Sequence, residues 1–452
     1  MILKNGQCKH VVLFGAFNER TYFLGDYRNS FDLLGLNSNI IAHAPDGMAA
    51  FISGLSNKKF FIDPLTHAFQ QPIRTIETRK NGKWRLKNSI ARLSQDYGSI
   101  IKEYAGIQQL KAGELTNEQI SDICNNVLKF QLNKIQQSAE SLDIKEFLEF
   151  SDIELKPEFL VAPYFYLEPD NLEKELEDNI RFLNKSKDIE ERRVTGSEKK
   201  QVFAEITIHN EVLADSEKSI KRVVHKYKKD GRGDGFLIWV DNFSEVSATE
   251  AALKKYKDFL KALGEIEKPI IALHGSYFSI VLSGKESLLA GVGHGIEYGE
   301  HRPVVPVGGG VPLAKFYFPK FHKRVNYSPD AQDILYETNW INSPKAYFDN
   351  VCSCKTCKEI IIADVVSGFK EFGITKISDK NGKAYPDQKA MDKSRRHYLN
   401  TKIAEYKRCA STSIDEIVDD LQRNHSIAEE IISHPFTHLK KWANVLSNSL
   451  HK

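Results

Sequence analysis

FLIWVD, residues 236–241, is an apolar run of strand length closed by one carboxylate, and runs of the same kind recur along the chain. A short continuous apolar run bounded by polar segments reads as a strand buried on both faces, as in a parallel sheet. Working outward, the same pattern marks residues 40–44, 60–63, 160–165, 202–208, 269–274, 291–298 and 315–319, with amphipathic or charged segments of helix length between them. Strands alternating with helices give a parallel sheet wound with helices, and a set of eight favours a closed barrel over an open doubly wound sheet. Residues 11–14 are a ninth candidate. The expected fold class is α/β, a (β/α)8 TIM barrel with a helical insertion and a C-terminal zinc-binding helical subdomain.

The chain has 452 residues, enough for two or three ordinary domains or one large barrel with an appendage, and 41% of them are hydrophobic. A net charge of only +3 excludes nucleic-acid binding through the global field and leaves it to local basic patches. No apolar run approaches the roughly 20 residues of a membrane span, so no membrane partner is expected. The opening MILKNGQCKHVVLF lacks the ordered regions of a signal peptide. Six cysteines, three of them clustered, fit a reducing compartment with a metal site, and the expected location is cytoplasmic.

Residues 70–158 exceed an ordinary barrel crossover and read as a helical insertion. Thr116 and Gln119 have capping-box spacing, and Ile120, Ile123, Val127 and Ile135 form one helical stripe. Such an insertion either packs around the barrel or forms a substrate-facing lobe. Residues 185–201 are charged and nearly free of apolar side chains, and after residue 343 the alternation stops. The division expected is a barrel domain over 1–343 and a zinc-binding, helical subdomain over 344–452.

In VCSCKTCK, residues 351–358, Cys352, Cys354 and Cys357 stand close enough to share one tetrahedral ion. Zn²⁺ is the expected ion, structural and one per chain, and His397 in the basic segment SRRHYLNTKIAEYKR is the fourth ligand. The alternatives are three buried free cysteines, or a redox pair of Cys354 and Cys357. A redox pair accounts for two of the thiols and zinc for all three.

At the C-terminal ends of barrel strands the polar residues that close each apolar run carry the chemistry. Asp63 and Asp241 suit a displacement in which one carboxylate attacks and the other moves protons, unless either caps its following loop. His274 closes PIIALH, and residues 291–301, GVGHGIEYGEH, alternate glycine with polar residues so that a flat ligand could approach the backbone. Residues 305–312, VPVGGGVP, lack Rossmann or Walker spacing and read as a turn. Lys315, Lys320, His322, Lys323 and Arg324 interleave with aromatics, and Lys393, Arg395, Arg396, Lys402, Lys407 and Arg408 follow the cysteines; either group could track a phosphate backbone or be a solvated face.

A strand ending in Asp, a later glycine-rich strand ending in GE, then CxCxxC and a basic helix: in this order the chain resembles the tRNA-guanine transglycosylase superfamily over most of its length. The FIDPLTHAF and YFPKFHKRV stretches are more similar to its DpdA-type DNA transglycosylases, which exchange guanine in DNA for a 7-deazaguanine base. The resemblance implies that Asp63 is the first catalytic carboxylate, although FIDPLTHAF lacks the paired glycines of the tRNA enzymes' ILTDSGGF. It implies that LHGS, with His274 and Gly275, takes the place of the base-reading VQGG. It also implies that Gly295, Ile296 and Glu297 lie along the base as GGLAVGE does. The tRNA enzymes carry their nucleophile in an FDCVLP-like last strand, whereas KFYFPKFHK has no acid; Asp241 is then the nucleophile, with Asp349 as the alternative. Their zinc histidine lies in a YLHHL-like helix where this chain reads YLNTK, and His397 precedes Asn400 by one helical turn on the same face.

The implied activity is exchange of guanine in nucleic acid, DNA rather than tRNA, for a 7-deazaguanine such as preQ0 through a covalent Asp–sugar intermediate. The implied partners are nucleic acid, bound through Lys320, Lys323, Arg324, Arg395 and Arg396, the incoming base, and other proteins of a DNA-modification system. The rival readings are the same reaction on tRNA and a non-catalytic nucleic-acid-binding subunit of such an enzyme.

Overall fold

The computed structural model describes residues 3–55, 58–80, 83–105, 108–141, 155–193, 199–297, 300–305, 313–377, 384–433 and 436–447. Its strands in chain order are β1 (Lys9–Phe14), β2 (Leu33–Asn37), β3 (Lys59–Asp63), β4 (Glu77–Lys80), β5 (Lys83–Leu86), β6 (Phe159–Val161), β7 (Gln201–Ile208), β8 (Gly235–Val240), β9 (Ile270–Ala272), β10 (Gly291–Gly295), β11 (Lys315–Phe318), β12 (Lys323–Asn326), β13 (Thr375–Ile377) and β14 (Ala384–Pro386). Eight of them form one parallel sheet in the order β3-β2-β1-β10-β9-β8-β7-β6. That order is the chain order of the eight read around a ring, with the first and last strands paired: Val11 stands opposite Gly293 and Leu13 opposite Gly295. At the remaining seam Glu158 N–H donates to Phe60 O at 2.8 Å, and Phe61 and Phe159 stack at 5.2 Å. The sheet is therefore nearly closed, like a barrel.

Alternation decides what fills it. Val11, Leu33, Phe61, Phe159, Phe203, Leu237 and Ile271 belong to one buried cluster, each pointing inward from a different strand. At about 25 cal/mol per Å² of apolar surface, packed rings and branched chains of this size supply the main drive for closure. Gly35 makes room for this layer, because a Cβ there would come within 2.7 Å of Leu13 and 2.8 Å of Phe61.

The count of eight arises from a different set than the apolar runs indicate. Residues 40–44 fall in and just after the helix Ser38–His43, and the true second strand is LLGLN just before it. Residues 11–14 belong to β1, the first strand of the sheet. Residues 315–318 form β11, which pairs antiparallel with β12 in a separate hairpin, Phe316 opposite Val325. The physical reason is the turn PKFH: His322 at φ 48° reverses the chain at once, leaving no crossover back to the sheet.

Between β3 and β6 the chain forms short helices, the antiparallel hairpin β4–β5 and the long helix Asn117–Glu140. The capping box at Thr116 and Gln119 is present, and Ile120, Ile123, Val127 and Ile135 are buried. The hairpin departs from an all-helical reading of this stretch.

By contact the chain separates into two compact units, one of Met1–Phe243, Lys255–His274 and Ser287–Val307, the other of Ser244–Lys254, Gly275–Glu286 and Gly308–Lys452. The first holds the whole eight-stranded sheet. The second holds the hairpins β11–β12 and β13–β14, the cysteine cluster and the helices Gln388–Ser411, Ile414–Ile431 and His438–Ser447. Within it the buried carboxylate of Glu245 accepts the backbone N–H groups of Ser276 (2.9 Å) and Ser279 (3.2 Å), capping the helix Tyr277–Gly284. Among the described residues no helix is long and apolar enough to cross a membrane.

Candidate active site and metal centre

At the C-terminal ends of the strands the first unit opens into a cleft lined by Leu13, Phe14, Gly15, Gly35, Asn37, Phe61, Asp63, Trp239, Leu273, His274, Gly295 and Arg302. Flat or small groups make most of its wall. Asp63 ends β3 on the inward-facing set of that strand, two residues beyond Phe61. Leu65, held in the left-handed region at φ 51°, turns its N–H back onto Asp63 Oδ1 at 2.8 Å. Tyr164 donates its hydroxyl to the same oxygen at 2.9 Å, and its own oxygen lies 2.8 Å from His67 Nδ1. Burial pushes the Asp63 carboxyl up to about 6, while the two hydrogen bonds and the Arg302 charge keep it from rising further. His67 goes the other way: burial and then the Arg302 charge lower it to about 3, so it is a neutral ring beside the Tyr164 hydroxyl.

Asp241 follows β8 on the same inward set as Trp239 and is half-buried at the rim. Its Oδ2 accepts from the Tyr166 hydroxyl at 2.8 Å and its Oδ1 from Val304 N–H at 2.7 Å. Two tyrosines from the extended segment after β6 thus hold the two carboxylates, one each. Gln70 braces that segment, accepting from Tyr166 N–H at 2.8 Å and donating to Tyr166 O at 2.9 Å. Thr66 does the same one step earlier, accepting from Tyr164 N–H and donating to Tyr164 O, each at 2.7 Å.

His274 packs on Trp239 at 4.9 Å between ring centroids, and its Nδ1 has no hydrogen-bond partner among the described residues. Burial, then Arg302 and His301, lower its pKa to about 3, which leaves a neutral ring able to donate or accept at the cleft wall. Gly295 lines the cleft, Ile296 is buried and Glu297 half-buried; Gly275 begins a segment of the second unit. The Tyr298 and Gly299 end of the glycine-rich stretch lies outside the described residues, as do residues 306–312 of the expected turn. Gly293 has a packing reason of its own, since a Cβ there would come within 2.5 Å of Leu273 O.

Three groups at this site escaped sequence reasoning. Glu205 is buried in the middle of β7; its Oε1 accepts from Thr207 at 3.2 Å, and Oε2 has no partner among the described residues. Burial and then the Asp63 charge raise its pKa far above the carboxylate range, so it is a neutral acid near Asp63. A lone acid inside the apolar run VFAEITI was the available signal. Arg302 places its guanidinium 5.9 Å from the Trp239 ring centroid, and nothing local in HRPVVP indicates that. The tyrosines of PYFY were hidden in an apolar run.

Lys320, Lys323, Arg324, Arg396 and Lys402 are engaged within the second unit. Lys320 lies over Trp340 at 4.9 Å and donates to Asn350 at 3.2 Å, Lys323 lies over Phe436 at 5.3 Å, and Arg324 over Tyr398 at 3.6 Å. Burial lowers the pKa of Lys320 and Lys323. The rings that receive these cations, Trp340, Phe436 and Tyr398, come from later segments and not from the aromatics interleaved with them in sequence. Arg396 pairs with Asp392 at 2.8 Å, Arg395 is half-buried, and Lys402 is fully buried against Glu405 at 2.8 Å. Asp349 is an exposed partner of Lys345 at 2.5 Å.

Cys352, Cys354, Cys357 and His397 bring their ligand atoms within 4.8 Å of one another. His397 Nδ1 lies 3.5 Å from Cys354 Sγ and 3.3 Å from Cys357 Sγ. A tetrahedral ion with metal–sulfur and metal–nitrogen bonds of about 2.3 and 2.0 Å separates such atoms by about 3.5 Å, so the group fits one. The other ring nitrogen, Nε2, donates to Tyr317 O at 2.7 Å and fixes the tautomer that presents Nδ1 to the sulfurs. Phe316 stacks on the ring at 4.2 Å, and Tyr347 hydroxyl approaches Cys357 Sγ at 3.4 Å. The cluster could hold a metal ion, with Cys354 capping the helix Lys355–Ile360 that carries Cys357.

A scan against protein-family models and a search of curated proteins both give no match to this chain.

Proposed function

We propose that the chain is a transglycosylase that exchanges guanine in nucleic acid, DNA in preference to tRNA, for a 7-deazaguanine base, and that its cysteine–histidine cluster holds one structural zinc. The observation that carries the reading is the pair Asp63 and Asp241, both on inward-facing strand positions and each held by its own tyrosine. Asp63 shares its cleft with the rings of Trp239, Phe14 and Phe61, which suit a flat heterocycle swung out of its stack, and Asp241 follows Trp239 by two residues on the same inward set.

In this reading an Asp241 oxygen bonds to C1′ as the C1′–N9 bond breaks and its electron pair leaves with guanine. Asp63, whose proton affinity lies near neutrality, gives a proton to the departing base. The incoming base returns a proton to Asp63 as its nitrogen attacks C1′ and frees Asp241. Tyr166 and Val304 N–H aim the Asp241 carboxylate, and neutral His274 reads the edge of the base. Cys352, Cys354, Cys357 and His397 would hold the zinc with all four of its positions taken by protein, so that it would serve folding and not the reaction.

Base exchange followed across pH tests the proton assignment. Exchange should show a limb near pH 6 belonging to Asp63. Tyr164→Phe removes a hydrogen bond that favours the charged form, so the Asp63 pKa rises and the limb moves to higher pH by about one unit. A limb that stays in place in Tyr164→Phe removes Asp63 from the reaction.

A further inference from the structure

The hairpin β4–β5 lies in the connection that leaves β3 at its C-terminal end, the end at which Asp63 lines the cleft. Its register sets Thr78 opposite Arg85, Arg79 opposite Trp84, and Lys80 opposite Lys83. Opposed residues share a face, so Lys80, Lys83 and Arg85 project from one side and Arg79 with Trp84 from the other. All of these side chains are exposed, Trp84 by 47%. No acid among the described residues pairs with Arg79, Lys80, Lys83 or Arg85, and Arg74 lays its guanidinium 4.4 Å from the Trp84 ring centroid. Directly opposed lysines destabilise a ladder, and a two-stranded hairpin wet on both faces is marginal by itself. Among the described residues no acid offsets the Lys80–Lys83 repulsion.

We propose that this hairpin is a docking arm for nucleic acid, its cations following the sugar–phosphate backbone and the open face of Trp84 stacking an unpaired base. A polyanion relieves the Lys80–Lys83 repulsion, and an aromatic ring layered with a guanidinium is a stacking platform indifferent to sequence. An anionic membrane would also attract the cations, but membrane insertion needs a set of apolar side chains, and Trp84 is the one large exposed apolar group on the described hairpin. Docking stands apart from base exchange, because binding is read without turnover.

The test is binding of the full chain to a fluorescein-labelled DNA duplex with a single-stranded tail, over a salt series. The variant Arg79→Ala, Lys80→Ala, Lys83→Ala, Arg85→Ala should bind at least tenfold more weakly, and its salt slope should flatten by about 0.7–0.9 for each phosphate that is no longer neutralised. Trp84→Ala should lose about tenfold on the tail with little change in slope. Exchanging lysines for arginines and arginines for lysines at the four positions should keep the slope, and equal melting of all variants excludes misfolding because the sites are exposed. A wild-type chain that does not bind the probe at low salt overturns the proposal. So does an alanine variant that binds it unchanged while losing affinity for phosphatidylserine vesicles. A chain that docks through the hairpin yet exchanges no base supports the docking arm and removes only the transglycosylase reading.

Discussion

Asp241→Asn should abolish base exchange, by at least a hundredfold and to background in practice, while nucleic-acid binding changes little. The amide is nearly isosteric with the carboxylate and can still meet the Tyr166 hydroxyl and Val304 N–H, which now hold Oδ2 at 2.8 Å and Oδ1 at 2.7 Å. What it lacks is the negative oxygen that would bond to C1′, so the loss falls on chemistry and not on affinity. The same variant should form no denaturant-stable adduct with the nucleic acid. Tyr166→Phe gives the graded counterpart: the nucleophile stays but loses one of two aiming hydrogen bonds, and exchange should fall by about tenfold with the adduct still trapped. An Asp241→Asn protein that retains exchange moves the nucleophile elsewhere. Asp349, exposed and paired with Lys345, has no comparable setting.

The other large effect belongs to the cysteine cluster. The purified chain should carry one equivalent of zinc, and Cys357→Ser or His397→Ala should lose it together with the fold around the helix Gln388–Ser411. Structural zinc in small sites contributes on the order of 10 kcal/mol to folding, far more than any single interaction in the second unit. His397→Ala does further damage, since Tyr317 O loses the donor now at 2.7 Å and Phe316 the ring stacked at 4.2 Å. His397→Cys separates the causes: a four-thiolate site holds zinc, so metal content should recover while stability recovers only in part. Far-UV circular dichroism with limited proteolysis reads the local loss, and metal analysis reads occupancy. Full occupancy with undiminished protection in His397→Ala would remove His397 as a ligand.

How far the chain could be read in advance follows from where its information is local. The cysteine spacing is local, and His397 on a helix that brings Nδ1 to the sulfurs completes a group the residues themselves demand. The carboxylates that close FFID and FLIWVD are local too, and both stand on inward-facing positions. Strand identity is less local. LLGLN is broken by Gly35, whose reason, the approach of Leu13 and Phe61, lies on two other strands. KFYF has the composition of a buried strand and forms a hairpin because the chain reverses at His322. Lys320, Lys323 and Arg324 alternate with aromatics as a nucleic-acid surface would, but they lie over Trp340, Phe436 and Tyr398, rings that are remote in sequence. The exposed cations of β4–β5 were hidden by an expectation of helix over residues 70–158. Glu205, Tyr164, Tyr166 and Arg302 converge near the cleft from separate segments, and convergence in space leaves no mark in a linear reading.

The central claim is that the chain itself exchanges bases in nucleic acid, and label incorporation tests it most directly. The purified, zinc-loaded protein, without nucleotide cofactor, is incubated with radiolabelled 7-deazaguanine and, in parallel, with guanine-containing duplex DNA and with tRNA. The account predicts that label enters DNA in step with release of free guanine, more slowly or not at all in tRNA, and not with Asp241→Asn. Absence of incorporation into either polymer by the folded, metal-loaded wild-type chain would contradict it.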